Sequence, residues 1–279
     1  KKQFIDIKYI ALIQDSLFFG SDTEWKQKFH SQKVIFHKAT MDYYKEELKK
    51  QGHNVIYVKH KMNTRTEDNL NYLFKKGFDY FITYEAFDWS LEKRIKDFSI
   101  KKNIKIEIRK SEMFLTSKDL SDEIINQKKI YGMQKFYRLQ RKNLNILIDG
   151  NGSPTGGDWS FDKLNRKKPP KSIKFPKIST INTNKFIAKA KKDVSINYGE
   201  YYGSFENFNY PVTHKDAEEW LDTFLLERFN LFGDYEDAIN SNHKTLWHSI
   251  LSPLINSGLL TPKEIIDKSW HFYKSNNIG

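Results

Sequence analysis

The first third of the chain alternates short apolar runs with longer amphipathic stretches. Four runs are typical of buried parallel strands: Tyr9–Ile13, Val55–Val58, Asp79–Thr83 and Ile104–Ile108. Apolar residues at helical spacing fill the gaps between them, over 34–48, 66–77 and 91–100. Because strands separated by helices form right-handed βαβ units, we predict an α/β domain with a mainly parallel sheet over residues 1–115.

The pattern changes after Phe114. Apolar residues from Met133 to Leu147 mark one face of a helix whose other faces are basic. Residues 150–212 then show no periodicity and include five of the seven prolines. We therefore interpret 116–212 as a helix followed by a long interdomain linker.

The last part of the chain is predicted to be helical and to form a second domain over 213–279. Thr213 followed by Asp216 three residues later is a capping box. Thr261, Pro262 and Glu264 form a stronger helix-start signal, because Pro suits the first helical position. We expect the apolar side chains of this domain to be exposed when residues 213–279 stand alone.

Positive charge is concentrated in one segment. The chain has a net charge of +12, and residues 163–192 contain eleven basic and no acidic residues, which leaves 36 basic and 35 acidic residues elsewhere. A positive segment on a nearly neutral body predicts contact with a phosphate backbone. The candidates for DNA binding, beside two prolines that keep the loop extended, are Arg166, Lys167, Lys168, Lys171 and Lys174. The alternative is a solvated Lys-rich loop.

Several classes of protein and site are excluded by composition. No apolar run approaches the roughly 18–20 residues that span a bilayer, and the first residues do not form a signal peptide. The absence of cysteine excludes disulfides and thiolate ligands for an iron–sulfur cluster, and suits a cytoplasmic protein. The histidines show no metal-binding spacing, and neither a dinucleotide fingerprint nor a nucleophile elbow is present.

One loop has an unusual composition. A basic stretch at Lys135–Arg138 leads towards Asp149–Asp162, which is rich in Gly and contains Gly-Gly-x-Trp-x-Phe-Asp. Such a loop must be ordered by its own side chains, and ordered loops often carry function. Trp159 and Phe161 either anchor the loop onto the protein or stack on a nucleic-acid base.

This loop and the segment Leu246–Leu260 resemble the cryptochrome/photolyase-related family, in particular its iron–sulfur bacterial branch. Three segments are similar to that family's second strand and following helix: Ile13–Gly20, His30–Lys33 and His37–Met41. The resemblance implies a Rossmann-like antenna domain, a linker and the start of an all-helical flavin-binding domain. The family's first strand and its distal helices have no counterpart, so we expect this chain to be roughly the N-terminal half of such a protein.

The resemblance implies two cofactor sites within the chain. The family holds the FAD diphosphate with a segment similar to residues 248–252, so the FAD candidates are His248, Ser249, Leu251, Ser252 and Asn256. Hydroxyls and N–H groups at a helix start suit a diphosphate. The alternative is a buried helix whose hydroxyls bond to preceding carbonyls.

The second implied site binds a lumazine-type antenna chromophore at the carboxyl end of the first strand. Its candidates are Gln14, Asp15, Phe18 and Phe19, with Gln14 in a position where an acidic residue is expected. The residues alone favour Phe18 and Phe19 as core side chains.

The function implied by the resemblance is that of a lyase that repairs UV lesions in DNA with light. Reduced FAD donates an electron to a pyrimidine dimer or (6-4) photoproduct, so no catalytic acid–base pair is expected in this half. The 4Fe–4S cluster and the catalytic histidines are expected in the distal half, and the full-length protein is expected to be a monomer. Two alternatives stay open: a cryptochrome-like blue-light photoreceptor, and a truncated, non-catalytic module that binds nucleic acid.

Overall fold

The computed structural model describes residues 7–126 and 132–276. The chain folds into two compact units. The first comprises Lys1–Ser111, Thr180–Glu218 and Asn256–Leu260, and the second comprises Glu112–Ser179, Glu219–Ile255 and Thr261–Gly279. No helix in the described residues is both long and apolar enough to cross a bilayer.

The elements follow each other in the order that the first third of the sequence predicts. The strands are β1 (Tyr9–Ile13), β2 (Asn54–Val58), β3 (Tyr80–Tyr84) and β4 (Lys105–Arg109). The helices are α1 (Ser31–Lys50), α2 (Thr66–Lys75), α3 (Trp89–Lys102), α4 (Lys118–Asn126), α5 (Met133–Leu144), α6 (Lys185–Asn197), α7 (His214–Glu227), α8 (Phe229–Tyr235), α9 (Ser252–Asn256) and α10 (Pro262–Asn276).

The strands pair in parallel, as predicted, but in two separate pairs. β1 pairs with β2 in a register that joins Tyr9 to Asn54, and β3 pairs with β4 in a register that joins Tyr80 to Lys105. The mixed α/β character with parallel strands is therefore confirmed. The four strands form two two-stranded sheets, whereas the βαβ pattern suggested a single sheet.

The core of the first unit includes a helix that the sequence pattern missed. α6 lies within residues 150–212, which show no obvious periodicity, and it packs against α1. Its buried side chains Ile187, Ala190 and Val194 follow helical spacing, and Asn184 caps it by accepting hydrogen bonds from two backbone N–H groups. The Lys-rich composition hid this short apolar stripe.

The loop after β1 is held by a buried ion pair. Arg94 on α3 donates two hydrogen bonds to the Asp22 carboxylate, at 2.7 and 2.9 Å, and the two side chains are 3% and 0% exposed. Asp22 also accepts from the backbone N–H groups of Glu24 and Trp25. The loop that borders the carboxyl end of β1 is thereby tied to α3.

The second unit buries several large apolar side chains of residues 213–279 with the rest of the chain present. The exposure expected when residues 213–279 stand alone stays a prediction. Trp220, Phe224, Trp247 and Leu251 are all at most 4% exposed. The proposed linker supplies part of the cover, because Phe175 packs against Trp247 with the ring centroids 5.4 Å apart. A segment interpreted as a spacer therefore contributes to the core.

Both predicted helix-start signals in the last part of the chain are confirmed. The Thr213 hydroxyl accepts a hydrogen bond from the N–H of Asp216 at 3.1 Å. At the start of α10 the exchange is reciprocal: the Glu264 carboxylate accepts from the N–H of Thr261 at 2.7 Å, and the Thr261 hydroxyl accepts from the N–H of Glu264 at 3.2 Å.

Candidate functional site

A cavity of about 370 Å³ lies in the first unit at the carboxyl end of β1 and β2. Parallel α/β sheets bind ligands at this end of their strands. Its walls come from the two strand ends and from facing positions on α1 and α6, and the side chains that determine its chemistry are Gln14, Lys38, Tyr57, His60, Asp193 and Tyr198.

Gln14 joins the ends of the two strands. Its amide donates to the Tyr57 hydroxyl at 2.7 Å and accepts from the backbone N–H of His60 at 3.1 Å. Burial, together with the charge and hydrogen bond of Asp42, raises the pKa of Tyr57 far above its usual value. Tyr57 therefore presents a neutral phenol to the cavity at any physiological pH.

His60 is a neutral imidazole with both ring nitrogens engaged. Nδ1 lies 2.5 Å from the Tyr198 hydroxyl and Nε2 lies 2.6 Å from the Ser21 hydroxyl. The ring stacks on Phe19, with centroids 4.8 Å apart. Burial, reinforced by the charge of Lys38, lowers the pKa of His60 to about 4. One ring nitrogen therefore donates and the other accepts, and the pair of hydroxyls fixes the orientation of the ring.

Two ion pairs connect the helical walls of the cavity. Lys38 on α1 lies 2.6 Å from Asp193 on α6, and Lys189 on α6 lies 2.5 Å from Asp42 on α1. Lys59, also in the lining, forms no ion pair within the described residues. The cavity therefore has walls joined by two ion pairs and carries one positive charge, that of Lys59, without an ion-pair partner among the described residues.

The structure brings only one of the four predicted antenna residues into this cavity. Gln14 lines it, whereas Phe19 is 1% exposed and lies behind His60. Asp15 is buried as the cap of a short 3₁₀ helix and accepts from Leu17 and Asn69. Burial raises the pKa of Asp15, and the Leu17 hydrogen bond opposes that rise in part. Phe18 is 39% exposed.

Sequence reasoning missed the other polar and aromatic side chains of the cavity. Tyr57 faces it from a strand that reads simply as apolar, and Tyr198 ends the helix hidden in the proposed linker. Lys38 and His60 carry no local signal either. They meet because α1, α6 and the ends of β1 and β2 pack around one space.

The predicted flavin segment is an irregular turn that leads into α9. Leu246 and Ile250 both have positive φ, at 46° and 56°. Residues other than Gly rarely adopt this region, and the β-branched Ile250 is the more unusual of the two. His248 is held through Nε2 by the backbone oxygen of Glu236 at 2.7 Å, and the Trp220 indole N–H donates to the backbone oxygen of Ser249 at 3.4 Å. Leu251 is 4% exposed and anchors the turn.

The hydroxyls of this turn are available to a ligand. Neither Ser249 nor Ser252 hydrogen-bonds through its hydroxyl to another described residue, so the alternative in which they bond to preceding carbonyls is not observed. Ser252 is exposed at the first position of α9, and Asn256 is exposed at its last. The turn thus offers two free donors on a strained, well-anchored backbone, a donor set that suits phosphate oxygens.

The predicted DNA-binding cations fall into two groups. Arg166 lies 3.0 Å from Asp237, and Lys167 lies 2.7 Å from Asp234, so both are already paired in the second unit. The other three, Lys168, Lys171 and Lys174, are exposed and form no ion pair with any described residue.

The two aromatic residues of the Gly-rich loop also differ. Trp159 packs against α5, where Arg138, Arg141 and Lys142 lie 5.7, 5.2 and 5.2 Å from its ring centroid. These contacts anchor the loop. Phe161 is 47% exposed, and its ring lies beside Gly156 of the same loop.

Comparison with known proteins identifies a family whose model covers both the first α/β part of the chain and the Gly-rich loop. Residues 8–210 match the model of the family described as deoxyribodipyrimidine photo-lyase-related protein. The chain belongs to this family. The match includes every residue of the cavity and of the Gly-rich loop, whereas the predicted flavin segment lies beyond it.

Individual relatives are similar to different shares of the chain. A (6-4) photolyase of Agrobacterium fabrum is 28% identical over 246 residues, which are 85% of this chain and 47% of that protein. The chain therefore spans about half the length of this relative. An uncharacterized protein of Acanthamoeba polyphaga mimivirus is 36% identical over 176 residues, 60% of this chain and 86% of the relative. A second uncharacterized protein of that virus is 46% identical over 43 residues, 15% of this chain and 33% of the relative.

Proposed function

We propose that this chain is part of a light-dependent DNA repair flavoprotein, a photolyase-type lyase that acts on UV-induced pyrimidine lesions. Family membership over residues 8–210 carries the proposal. The relative from Agrobacterium is named a (6-4) photolyase, so (6-4) photoproducts are the lesion to test first.

FAD is the cofactor that the second unit fits. The hydroxyls of Ser249 and Ser252 have no partner among the described residues and would donate to the diphosphate oxygens. The positive φ of Ile250 supports a binding role, because such strain persists mainly where a ligand site demands it. Bound reduced FAD would supply the electron that splits the lesion. His248 and Leu251 belong to the same segment of this unit and would shape the site.

A lumazine-type antenna is proposed for the cavity of the first unit. A volume of about 370 Å³ suits a small bicyclic chromophore. The phenols of Tyr57 and Tyr198 would contact its ring, and Lys59 would meet an anionic or carbonyl edge. The sequence contains no cysteine, so a 4Fe–4S cluster of the family's kind would take its thiolate ligands from outside these 279 residues.

Flavin affinity of the Ser249→Ala and Ser252→Ala variants tests the cofactor site. A hydrogen bond to a charged group contributes about 1.5–3 kcal/mol, so each variant is expected to weaken FAD binding by about 10- to 150-fold. The matched control is Ser195→Ala, whose exposed hydroxyl donates to the backbone oxygen of Lys192 in the other unit. The measurement is the quenching of FAD fluorescence when FAD is titrated with protein expressed from the complete coding sequence.

The repair assay uses the same preparation with oligonucleotides that contain a (6-4) photoproduct or a cyclobutane dimer. Light-dependent loss of either lesion supports the enzyme. A preparation that binds FAD but repairs neither lesion favours the cryptochrome-like photoreceptor. A preparation that binds no FAD refutes both and leaves the nucleic-acid-binding module, which the unpaired Lys168, Lys171 and Lys174 favour.

A further inference from the structure

A row of cations lies along one side of α5. Lys135, Arg138 and Lys142 are spaced three and four residues apart, so they share roughly 60° of the helix circumference and span about 10 Å of its length. All three are exposed. Residues 132–148 contain no acidic side chain, so nothing on the helix itself neutralises them.

These cations lack counterions elsewhere as well. In residues 7–126 and 132–276, none of the three forms an ion pair, in contrast to Arg166 and Lys167 of the same unit. Like charges three or four residues apart destabilise a helix. The row is therefore unfavourable for the isolated helix, and an external anion would relieve the repulsion.

Trp159 holds part of this row in place. The Arg138 guanidinium and the Lys142 ammonium both lie within 6 Å of its ring centroid, at 5.7 and 5.2 Å. Arg141 has a different role, because it is 6% exposed and donates to the backbone oxygens of Ile146 and Leu147 at the end of the helix. The exposed cations are thus pre-organised against a fixed ring, which reduces the entropy lost when they bind.

The distribution of charge indicates a nucleic acid and not a membrane surface. An interfacial helix buries its apolar side and keeps its cations beside it at the headgroups. The exposed apolar residues Met133, Tyr137 and Leu144 of α5 lie roughly opposite Lys135 and Lys142 around the helix. If that apolar side were inserted into a membrane, the row of cations would point away from the lipid headgroups. A phosphate backbone, by contrast, can bind along the row of cations.

We propose that Lys135, Arg138 and Lys142 form a contact for the phosphate backbone of nucleic acid, separate from the contact proposed for Lys168, Lys171 and Lys174. The inference rests on the proposed DNA partner and adds a second, lesion-independent footprint to it. Because phosphate contacts position a duplex without reading its sequence, the contact should bind lesion-free DNA of any sequence.

The test measures the binding of the full chain and its variants to a labelled, lesion-free duplex by fluorescence anisotropy over a range of salt concentrations. The variant of interest is Arg138→Gln with Lys142→Gln. The linker variant combines Lys168→Gln, Lys171→Gln and Lys174→Gln. The matched control is Lys49→Gln with Lys50→Gln, two exposed cations at the end of α1 that form no ion pair with a described residue.

If both α5 cations contact phosphates, the slope of log affinity against log salt concentration falls by about 1.8, and affinity at about 0.1 M salt falls roughly 60-fold. The control should match the wild type. The thermal midpoint of the α5 variant should change little, because the relief of like-charge repulsion offsets the two lost contacts with Trp159. Trp159→Leu should weaken DNA binding without changing the salt slope, because it removes the ring that orders the cations and leaves their charges in place.

Three outcomes overturn the inference. If the linker variant loses affinity and the α5 variant binds like the wild type, the DNA proposal stands and the α5 contact is wrong. If the α5 variant and the Lys49/Lys50 control lose affinity equally, the effect is one of net charge alone. If the wild type binds neither lesion-free nor lesion-containing DNA but binds vesicles of anionic phospholipid, both the DNA partner and the α5 contact are wrong.

Discussion

The buried pair of Asp22 and Arg94 offers the sharpest test of how the loop beside the cavity is held. Asp22→Asn keeps the size of the side chain and removes its charge. Arg94 is 3% exposed, so its guanidinium would remain buried without its main carboxylate. Breaking one side of a buried pair costs about 3–5 kcal/mol. We expect the lower end, because Glu24, half exposed and 2.9 Å from Arg94, still compensates part of the charge.

The assay is urea denaturation followed by circular dichroism, with the free energy of unfolding compared between variant and wild type. Asp97→Asn is the matched control, because the Lys93–Asp97 pair is 54% exposed on both sides and should contribute less than about 1 kcal/mol. Replacing both partners together, Asp22→Leu with Arg94→Met, should cost less than Asp22→Asn alone, since no buried charge is left unpaired.

The pH dependence provides a second measure of the same pair. Burial alone would raise the pKa of Asp22, but hydrogen bonds from Arg94 and from backbone N–H groups outweigh burial and lower it. A lowered pKa means that the stabilisation is complete above the unfolded value of about 3.9 and is lost as the pH falls through the folded value. Asp22→Asn should therefore flatten the acid limb of the stability curve. An Asp22→Asn variant as stable as Asp97→Asn at neutral pH would refute this reasoning.

Three further predictions concern the loop, the cavity and the last helix. Gly20→Ala should destabilise the protein by about 1–3 kcal/mol, because φ is +71° and the new Cβ would lie 2.1 Å from the backbone oxygen of Gln27; an unchanged urea midpoint would contradict this. His60 should titrate near pH 4 by NMR, and a midpoint near 6.5 would exclude the buried network. The free energy of unfolding should fall as the pH drops from about 6.5 towards 4, because only the unfolded chain binds the proton in that range. Thr261→Ala should cost about 0.5–2 kcal/mol through loss of the exchange with Glu264, whereas Thr261→Ser should cost far less.

Local signals in the sequence predicted most of the secondary structure. The strand β1 and the helix starts at Thr213 and Thr261 depend on residues within a few positions of one another. α6 was missed because only three buried residues mark its stripe within a Lys-rich segment. The pairing of four strands into two sheets depends on contacts between distant segments, and the alternation of strands and helices does not specify it.

The candidate cavity shows the same limit. Parallel strands bind ligands at their carboxyl ends, so the position of the cavity could be predicted from the sequence, and Gln14 was predicted as one of its residues. Tyr57, His60 and Tyr198 were not, because each has an ordinary local context and acquires its role only when α1 and α6 close around the strand ends.

By itself the sequence determined the family, the alternation of strands and helices, and the excess of positive charge, since all three are properties of residue order and composition. Only the tertiary structure decided which of those charges are available. Arg166 meets Asp237, while Lys168 two residues later meets no described acid, and Arg138 is set against Trp159 beside two other cations. The reason is physical: ion pairing depends on what the fold places within about 4 Å, and neighbours along the chain do not specify neighbours in space.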